Sequence, residues 1–206
     1  MRPQGKTRLQ SAFIDWKSKG EMTVKITIFG DSITNGYMAE NPLILKDLIE
    51  EKMPQIEVKL HGINGDDTYG AQFRIKYVKA ENADLNFVFF GANDASPYHL
   101  IRPDEYSQNL AKIIDELGAD KTVLITPPYY NELEPTHYSK LSEVQLFRAA
   151  VLDLAQEKQL PVIDIFQAMV DFPEPNSLLR PDGLHFTEAG YEILVGEILK
   201  FIKERN

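Results

Sequence analysis

Two kinds of apolar pattern alternate along the chain. Short runs rich in β-branched and aromatic residues that stop abruptly read as buried strands over Val24–Phe29, Ile56–His61, Leu85–Phe90, Thr122–Thr126 and Pro161–Ile165. Between them, apolar residues at helical spacing predict helices over Pro42–Met53 (Leu43, Leu45, Leu48, Ile49), 69–79, Pro103–Leu117, Ser139–Lys158, and from a Thr187 cap to about Lys203. Asp104 and Glu105 behind Pro103 put acid in the first turn, where a helix N-terminus favours it. Strands apolar on both faces and separated by helices belong to a parallel sheet covered on each side, an α/β fold of three layers, α/β/α. Right-handed crossovers leave few topologies, and the expected one is a five-stranded, doubly wound sheet in the order 2-1-3-4-5.

That order has a chemical consequence. The first strand ends at Gly30 and hands over to Asp31-Ser32-Ile33-Thr34-Asn35-Gly36, so Ser32 stands at the carboxyl edge of the sheet. The second strand delivers a Gly-rich turn, Gly62–Thr68, to the same edge, and the third ends at Gly91-Ala92-Asn93-Asp94. With strands 2 and 3 flanking strand 1, Ser32, Gly65 and Asn93 come side by side.

A serine hydroxyl needs a base, and the base needs an orienting group. Of His61, His99, His137 and His185, the last has a carboxylate, Asp182, three residues before it in the loop that precedes the final helix. His61 and His99 also flank the edge, but neither has a carboxylate at such close spacing along the chain. The catalytic candidates are therefore Ser32, Asp182 and His185. For the oxyanion of an acyl transfer, the candidate donors are the backbone N–H groups of Ser32 and Gly65 and the amide of Asn93. Each feature has a plainer reading: a turn glycine at 65, an Asx turn at Asn93-Asp94, a solvated loop at 182–185. All would have to hold at once, at the ends of four elements meeting on one edge. Asp31 and Asp94 read as structural, bonding turn backbone.

Composition and charge narrow the partners. A net charge of −9 argues against a nucleic-acid backbone or an anionic membrane as the main partner, and no apolar run reaches the ~20 residues of a membrane span. The absence of cysteine excludes disulfides and thiolate chemistry. Residues 1–21 carry five basic residues against two acidic, leaving −12 on the rest of the chain. Leu9, Phe13 and Trp16 could form one helical stripe there, but the segment lacks the features of a secretory signal. The expectation is an extension over 1–21, dispensable to the fold, one domain over 22–206, and a cytoplasmic protein.

At these residues the chain resembles the SGNH, or GDSL, family of serine esterases and lipases. Gly30-Asp31-Ser32 with Thr34 and Gly36, Asn64-Gly65-Asp66, Gly91-Ala92-Asn93-Asp94 and Asp182-Gly183-Leu184-His185 match its four blocks in order. The resemblance implies the SGNH hydrolase form of the flavodoxin-like fold, Ser32 as nucleophile, His185 as base and acid, Asp182 as its orienter, and Gly65 and Asn93 in the oxyanion hole. Several motifs, among them Phe90–Ala95 and Ile125-Thr126-Pro127-Pro128, are similar to the isoamyl acetate-hydrolysing branch, whereas Asn64–Thr68 looks more like the bacterial lysophospholipase and thioesterase branch.

The expected activity is hydrolysis of small carboxylic esters through an acyl-enzyme, with no metal or organic cofactor. Loops Asn93–Arg102, Pro127–Tyr138 and Phe172–Pro181 carry aromatic rings among prolines and no amphipathic lid helix. Such walls favour short acyl groups, with Tyr98 and Tyr129 as candidate substrate contacts. The alternatives are a carbohydrate O-acetyl esterase or lysophospholipase and, in another class, a non-catalytic flavodoxin-like module cradling a phosphate in the Gly30–Gly36 turn. That turn has no Lys or Arg to meet phosphate charge.

Overall fold

Ile26, Ile28 and Phe29 lose all contact with solvent, which alternating polar positions would forbid, and they do so because β1 (Val24–Gly30) runs through the middle of a sheet. A computed structural model describes residues 23–132 and 140–204. In it β1 pairs in parallel with β2 (Ile56–Gly62) on one side and β3 (Leu85–Phe89) on the other. The sheet continues to β4 (Thr122–Ile125) and β5 (Val162–Ile163), all parallel, in the order β2-β1-β3-β4-β5. This is the expected topology.

Side chains alternate across the sheet, so each face has its own core. Ile26, Ile28, Val58, Phe87 and Val123 pack with α1 (Ile44–Lys52) and α6 (Glu188–Glu204). Phe29, Val88, Phe90 and Leu124 pack on the other face with α2 (Thr68–Ala80), α3 (Pro103–Leu117) and α4 (Leu141–Lys158). The three layers follow from that alternation.

Two short elements were not foreseen. β5 stops at Ile163 because Asp164 turns the chain: its carboxylate caps α5 (Ile165–Val170) at Gln167 N–H, 3.2 Å away, and pairs with Arg148 Nε at 2.9 Å. A 3₁₀ turn, Pro175–Leu178, then lies where a plain loop was expected. The helix predicted from Pro42 begins at Ile44, with Asn41 Oδ1 accepting Leu43 N–H at 2.9 Å before it. The extension over 1–21, His137 and Ser139 lie outside the described residues. Among the described residues, no helix is long and apolar enough to cross a membrane.

The register sets up the edge. Gly30 stands opposite Gly62 of β2 and Phe89 of β3, so three turns leave the sheet at one level. They pass so close that a Cβ on Gly62 would stand 2.7 Å from the Asp31 carbonyl oxygen.

Candidate active site

Past Gly30 the chain coils tightly. Asp31 Oδ1 accepts Ile33 N–H at 2.9 Å, Asp31 O accepts Asn35 N–H at 3.0 Å, and Ser32 O accepts Tyr37 N–H at 2.9 Å. These bonds hold Ser32 at the start of the coil, with its side chain over the strand ends. Its Oγ lies 3.0 Å from His185 Nε2. His185 arrives from the loop before α6, which is pinned by Arg180 N–H to His185 O at 2.7 Å and by Asn131 N–H to Gly183 O at 2.8 Å.

Asp182 completes the line. Its Oδ2 lies 2.6 Å from His185 Nδ1, while Oδ1 accepts the N–H groups of Leu184 and His185, each at 3.0 Å. With Nδ1–H given to the carboxylate, Nε2 is left to accept the serine proton. Burial works to raise the Asp182 pKa, but the His185 ring and the two backbone donors outweigh it and hold the carboxyl below its usual range. Both Ser32 and His185 are buried. The ring of Tyr37 stands edge-on against the imidazole.

Around Ser32 the second and third turns present N–H groups. Ile63–Asp66 is a turn closed by Asp66 N–H to Ile63 O at 3.2 Å, and it requires a φ of +73° at Gly65, where a side chain would be strained. Among the described residues, neither Ser32 N–H nor Gly65 N–H donates to another protein group. Asn93 is no Asx turn. Its Nδ2 crosses to the Asp66 carbonyl at 2.8 Å, with Asp31 Oδ2 at 3.4 Å.

A buried serine–imidazole–carboxylate line beside unspent N–H donors can carry acyl transfer. The model of the GDSL-like Lipase/Acylhydrolase family matches residues 28–193, which include every one of these groups. The chain belongs to that family. It is a serine ester hydrolase.

Relatives agree along nearly the whole length. A GDSL esterase/lipase of Arabidopsis thaliana is 29% identical over 89% of this chain and 87% of its own. The isoamyl acetate-hydrolyzing esterase of Schizosaccharomyces pombe is 25% identical over 87% of this chain and 75% of its own. Among solved structures, the lipase/acylhydrolase from Enterococcus faecalis superposes with a TM-score of 0.83 at 35% identity, covering 89% of this chain and 97% of that one. An acetyl xylan esterase shares the fold at 21% identity and a TM-score of 0.74.

The hydrolase holds its three turns together with residues that local spacing did not mark. Arg74, on α2, donates from Nη2 to Gly30 O at 2.6 Å and from Nη1 to His61 O at 2.8 Å, and pairs with Asp66 through Nε at 2.6 Å. One guanidinium thus ties the ends of β1 and β2 to the Gly65 turn, lying 4.6 Å from the Phe29 ring centroid. Thr68, at the start of α2, donates its N–H to Asp94 Oδ1 at 3.0 Å and also bonds it through its hydroxyl. His99 Nδ1 meets Asp67 Oδ2 at 2.6 Å, and His61 faces Glu81. In sequence, Arg74 looks like any arginine on an amphipathic helix.

Asp31 accepts a backbone N–H of its own turn and Asp94 one from the start of α2, each at an electrostatic cost. Burial pushes the Asp31 pKa up to about 7 against the pull of the Ile33 N–H, with Asp94 and Asp66 adding repulsion. Burial likewise lifts Asp94 to about 7 despite its two bonds from Thr68, and among the described residues its buried Oδ2 meets no hydrogen-bond partner. Asp66 is raised too, by burial, against the attraction of Arg74.

The two candidate substrate tyrosines fall differently. Tyr98 projects into solvent, 81% exposed. Tyr129 is part-buried, its hydroxyl bonded to Asn176 Oδ1 at 2.8 Å and its ring against Phe166. Tyr37, which the sequence did not single out as a site residue, is the ring in contact with His185.

Proposed function

We propose that the enzyme cleaves short-chain carboxylic esters through an acyl-Ser32 intermediate. Ser32 Oγ attacks the ester carbonyl carbon while His185 Nε2 takes its proton and Asp182 steadies the imidazolium. The oxyanion accepts hydrogen bonds from Ser32 N–H, Gly65 N–H and the Asn93 amide, which has one hydrogen on Asp66 O and a second in only a long contact with Asp31. The tetrahedral adduct collapses, His185 returns the proton to the departing alcohol, and the acyl group stays on Ser32. Water then gives a proton to His185 and attacks the acyl carbon, releasing the acid and restoring the serine.

The observation that carries the assignment is the line from Asp182 through His185 to Ser32, at 2.6 and 3.0 Å. The preference for short acyl groups is supported by Tyr37 crowding His185 and by the S. pombe relative, whose name states isoamyl acetate hydrolysis.

A fluorophosphonate tests the nucleophile. It should add to one peptide, the one holding Ser32, abolish hydrolysis of p-nitrophenyl acetate in step with labelling, and leave Ser32→Ala unlabelled. Labelling elsewhere, or full activity in Ser32→Ala, would overturn the assignment.

A further inference from the structure

Helix α2 has an apolar stripe on each side. Ala71, Ile75 and Val78 face the core, as an amphipathic helix should. The opposite side carries Tyr69, Phe73 and Tyr77, which are 62%, 69% and 60% exposed. Spaced at i, i+4 and i+8, they form one continuous ridge. The rings of Tyr69 and Phe73 meet edge to face at 5.4 Å, and Lys76 Nζ sits 5.0 Å from the Tyr77 ring centroid. Ile63, 51% exposed, lies in the turn that leads into α2. None of these rings contacts Ser32, His185 or Asp182 among the described residues.

We infer that this ridge is a homodimer interface, in which α2 packs antiparallel against α2 of a second copy about a two-fold axis at Phe73. The order of the side chains is what selects a second copy. Tyr-Phe-Tyr reads the same in both directions, and a two-fold interface must present one patch that complements itself. Antiparallel packing sets Phe73 against the partner's Phe73 and Tyr69 against the partner's Tyr77. Lys76, three residues beyond the axis, then meets the height of the partner's Tyr69 and Gly70, not the partner's Lys76, so like charges stay about 9 Å apart along the helix. The helix dipoles also oppose each other favourably.

Area sets the strength. Each ring buries roughly 150–250 Å² when fully covered, so three rings exposed by three-fifths or more offer roughly 300–500 Å² per copy. Two copies with Ile63 reach about the 1,000 Å² at which specific interfaces begin. The dimer is therefore one that dissociates on dilution. Because α2 starts just after the Gly65 turn, the pairing also brings the C-terminal end of the partner's α2 to the height of that turn.

The chain has no cysteine, which makes the geometry directly testable by single-thiol variants. Under mild oxidation Phe73→Cys should cross-link into a covalent dimer, since its two copies meet on the axis. Tyr69→Cys should not, because its two copies are offset by about 12 Å along the helices, but the double variant Tyr69→Cys, Tyr77→Cys should. Lys200→Cys, at an exposed position of α6, is the background control. Wild-type enzyme should sediment as a dimer that dissociates on dilution, and Phe73→Asp as a monomer with wild-type hydrolysis of p-nitrophenyl acetate.

A monomer at about 100 μM would overturn the proposal. So would cross-linking of Phe73→Cys no faster than Lys200→Cys, or a dimer that survives Phe73→Asp. Removal of residues 1–21 distinguishes a ridge covered from within the same chain. Self-association that arises only in that shortened form would refute the homodimer.

Discussion

The ring of Tyr37 stands at 63° to the imidazole of His185, with centroids 4.8 Å apart. Asp182 and Ser32 meet the imidazole at its two nitrogens, and the Tyr37 ring confines it by packing. An edge-to-face pair contributes about 0.5–1.5 kcal/mol, and 1.4 kcal/mol is tenfold in rate. Tyr37→Ala should lower kcat/KM for p-nitrophenyl acetate about 3- to 10-fold, and Tyr37→Phe should restore it. Equal activities in all three would show that the ring does not position His185.

Asp182→Asn tests the orienter without removing bulk. The amide presents N–H₂ or C=O to Nδ1 and no longer stabilises an imidazolium, so kcat should fall by roughly 10³–10⁴. The fold should survive, because an amide oxygen can still accept the Leu184 and His185 N–H groups. A loss below tenfold would remove Asp182 from the mechanism.

Stability should fall as pH rises from about 4 towards 7. Below about pH 4 both folded and unfolded chains hold the Asp94 proton, so nothing is lost there. Between the ordinary value of 3.8 and about 7 the unfolded chain releases it while the folded chain keeps it, and each rise in pH favours unfolding. Asp31 acts in the same direction over the same window. Asp94 is faced by Thr68 and Asp67 from the α2 start, by Asp31 from the first turn and by Tyr106 from α3. Tm should drop by about 5 °C or more from pH 5 to pH 8, and Asp94→Asn should flatten that slope. A Tm that rises over this range, or a slope unchanged in Asp94→Asn, would refute the account.

Arg74 should not be replaceable by lysine. A single ammonium cannot reach Gly30 O, His61 O and Asp66 together in the planar fork they occupy. Arg74→Lys should lower Tm by several degrees and kcat by about tenfold, with KM little changed, because the Gly65 turn loses its anchor. Wild-type kcat in Arg74→Lys would show the turn to be self-supporting.

Acyl-chain length is the sharpest test of substrate class. An open apolar trough would add up to ~0.8 kcal/mol per methylene, so a lipase would gain steadily from acetyl to octanoyl. The expectation here is a maximum of kcat/KM at about two to four acyl carbons in a p-nitrophenyl series below the micelle concentration, given a small pocket. A maximum at octanoyl or beyond would move the enzyme to the lysophospholipase reading, and turnover of acetylated xylan above simple esters would move it to carbohydrate deacetylation.

Much of the fold was legible because the strands are apolar on both faces and end sharply. Val24–Gly30 and Leu85–Phe89 could be little else, and the topology they imply brings Ser32 beside Asn93. The local Asp182–His185 spacing carried one ion pair of the site. The anchors were not legible. Arg74 meets Gly30 across 44 residues, and Thr68 meets Asp94 across 26, so no local pattern marks them. The α5 helix escaped because six residues are too few to show a period, and only the carboxylate of Asp164 defines its start.

Ser32 and His185 lie 153 positions apart, the first in the opening crossover of the fold and the second in its closing loop. The three turns at the sheet edge come from the first half of the chain and are synthesised well before the imidazole. On the proposed assignment, a chain that ends before Asp182 keeps Ser32 but lacks the imidazole that would take its proton. On that assignment, ester cleavage waits on the docking of the last loop and of α6, the final pieces of the chain to be made.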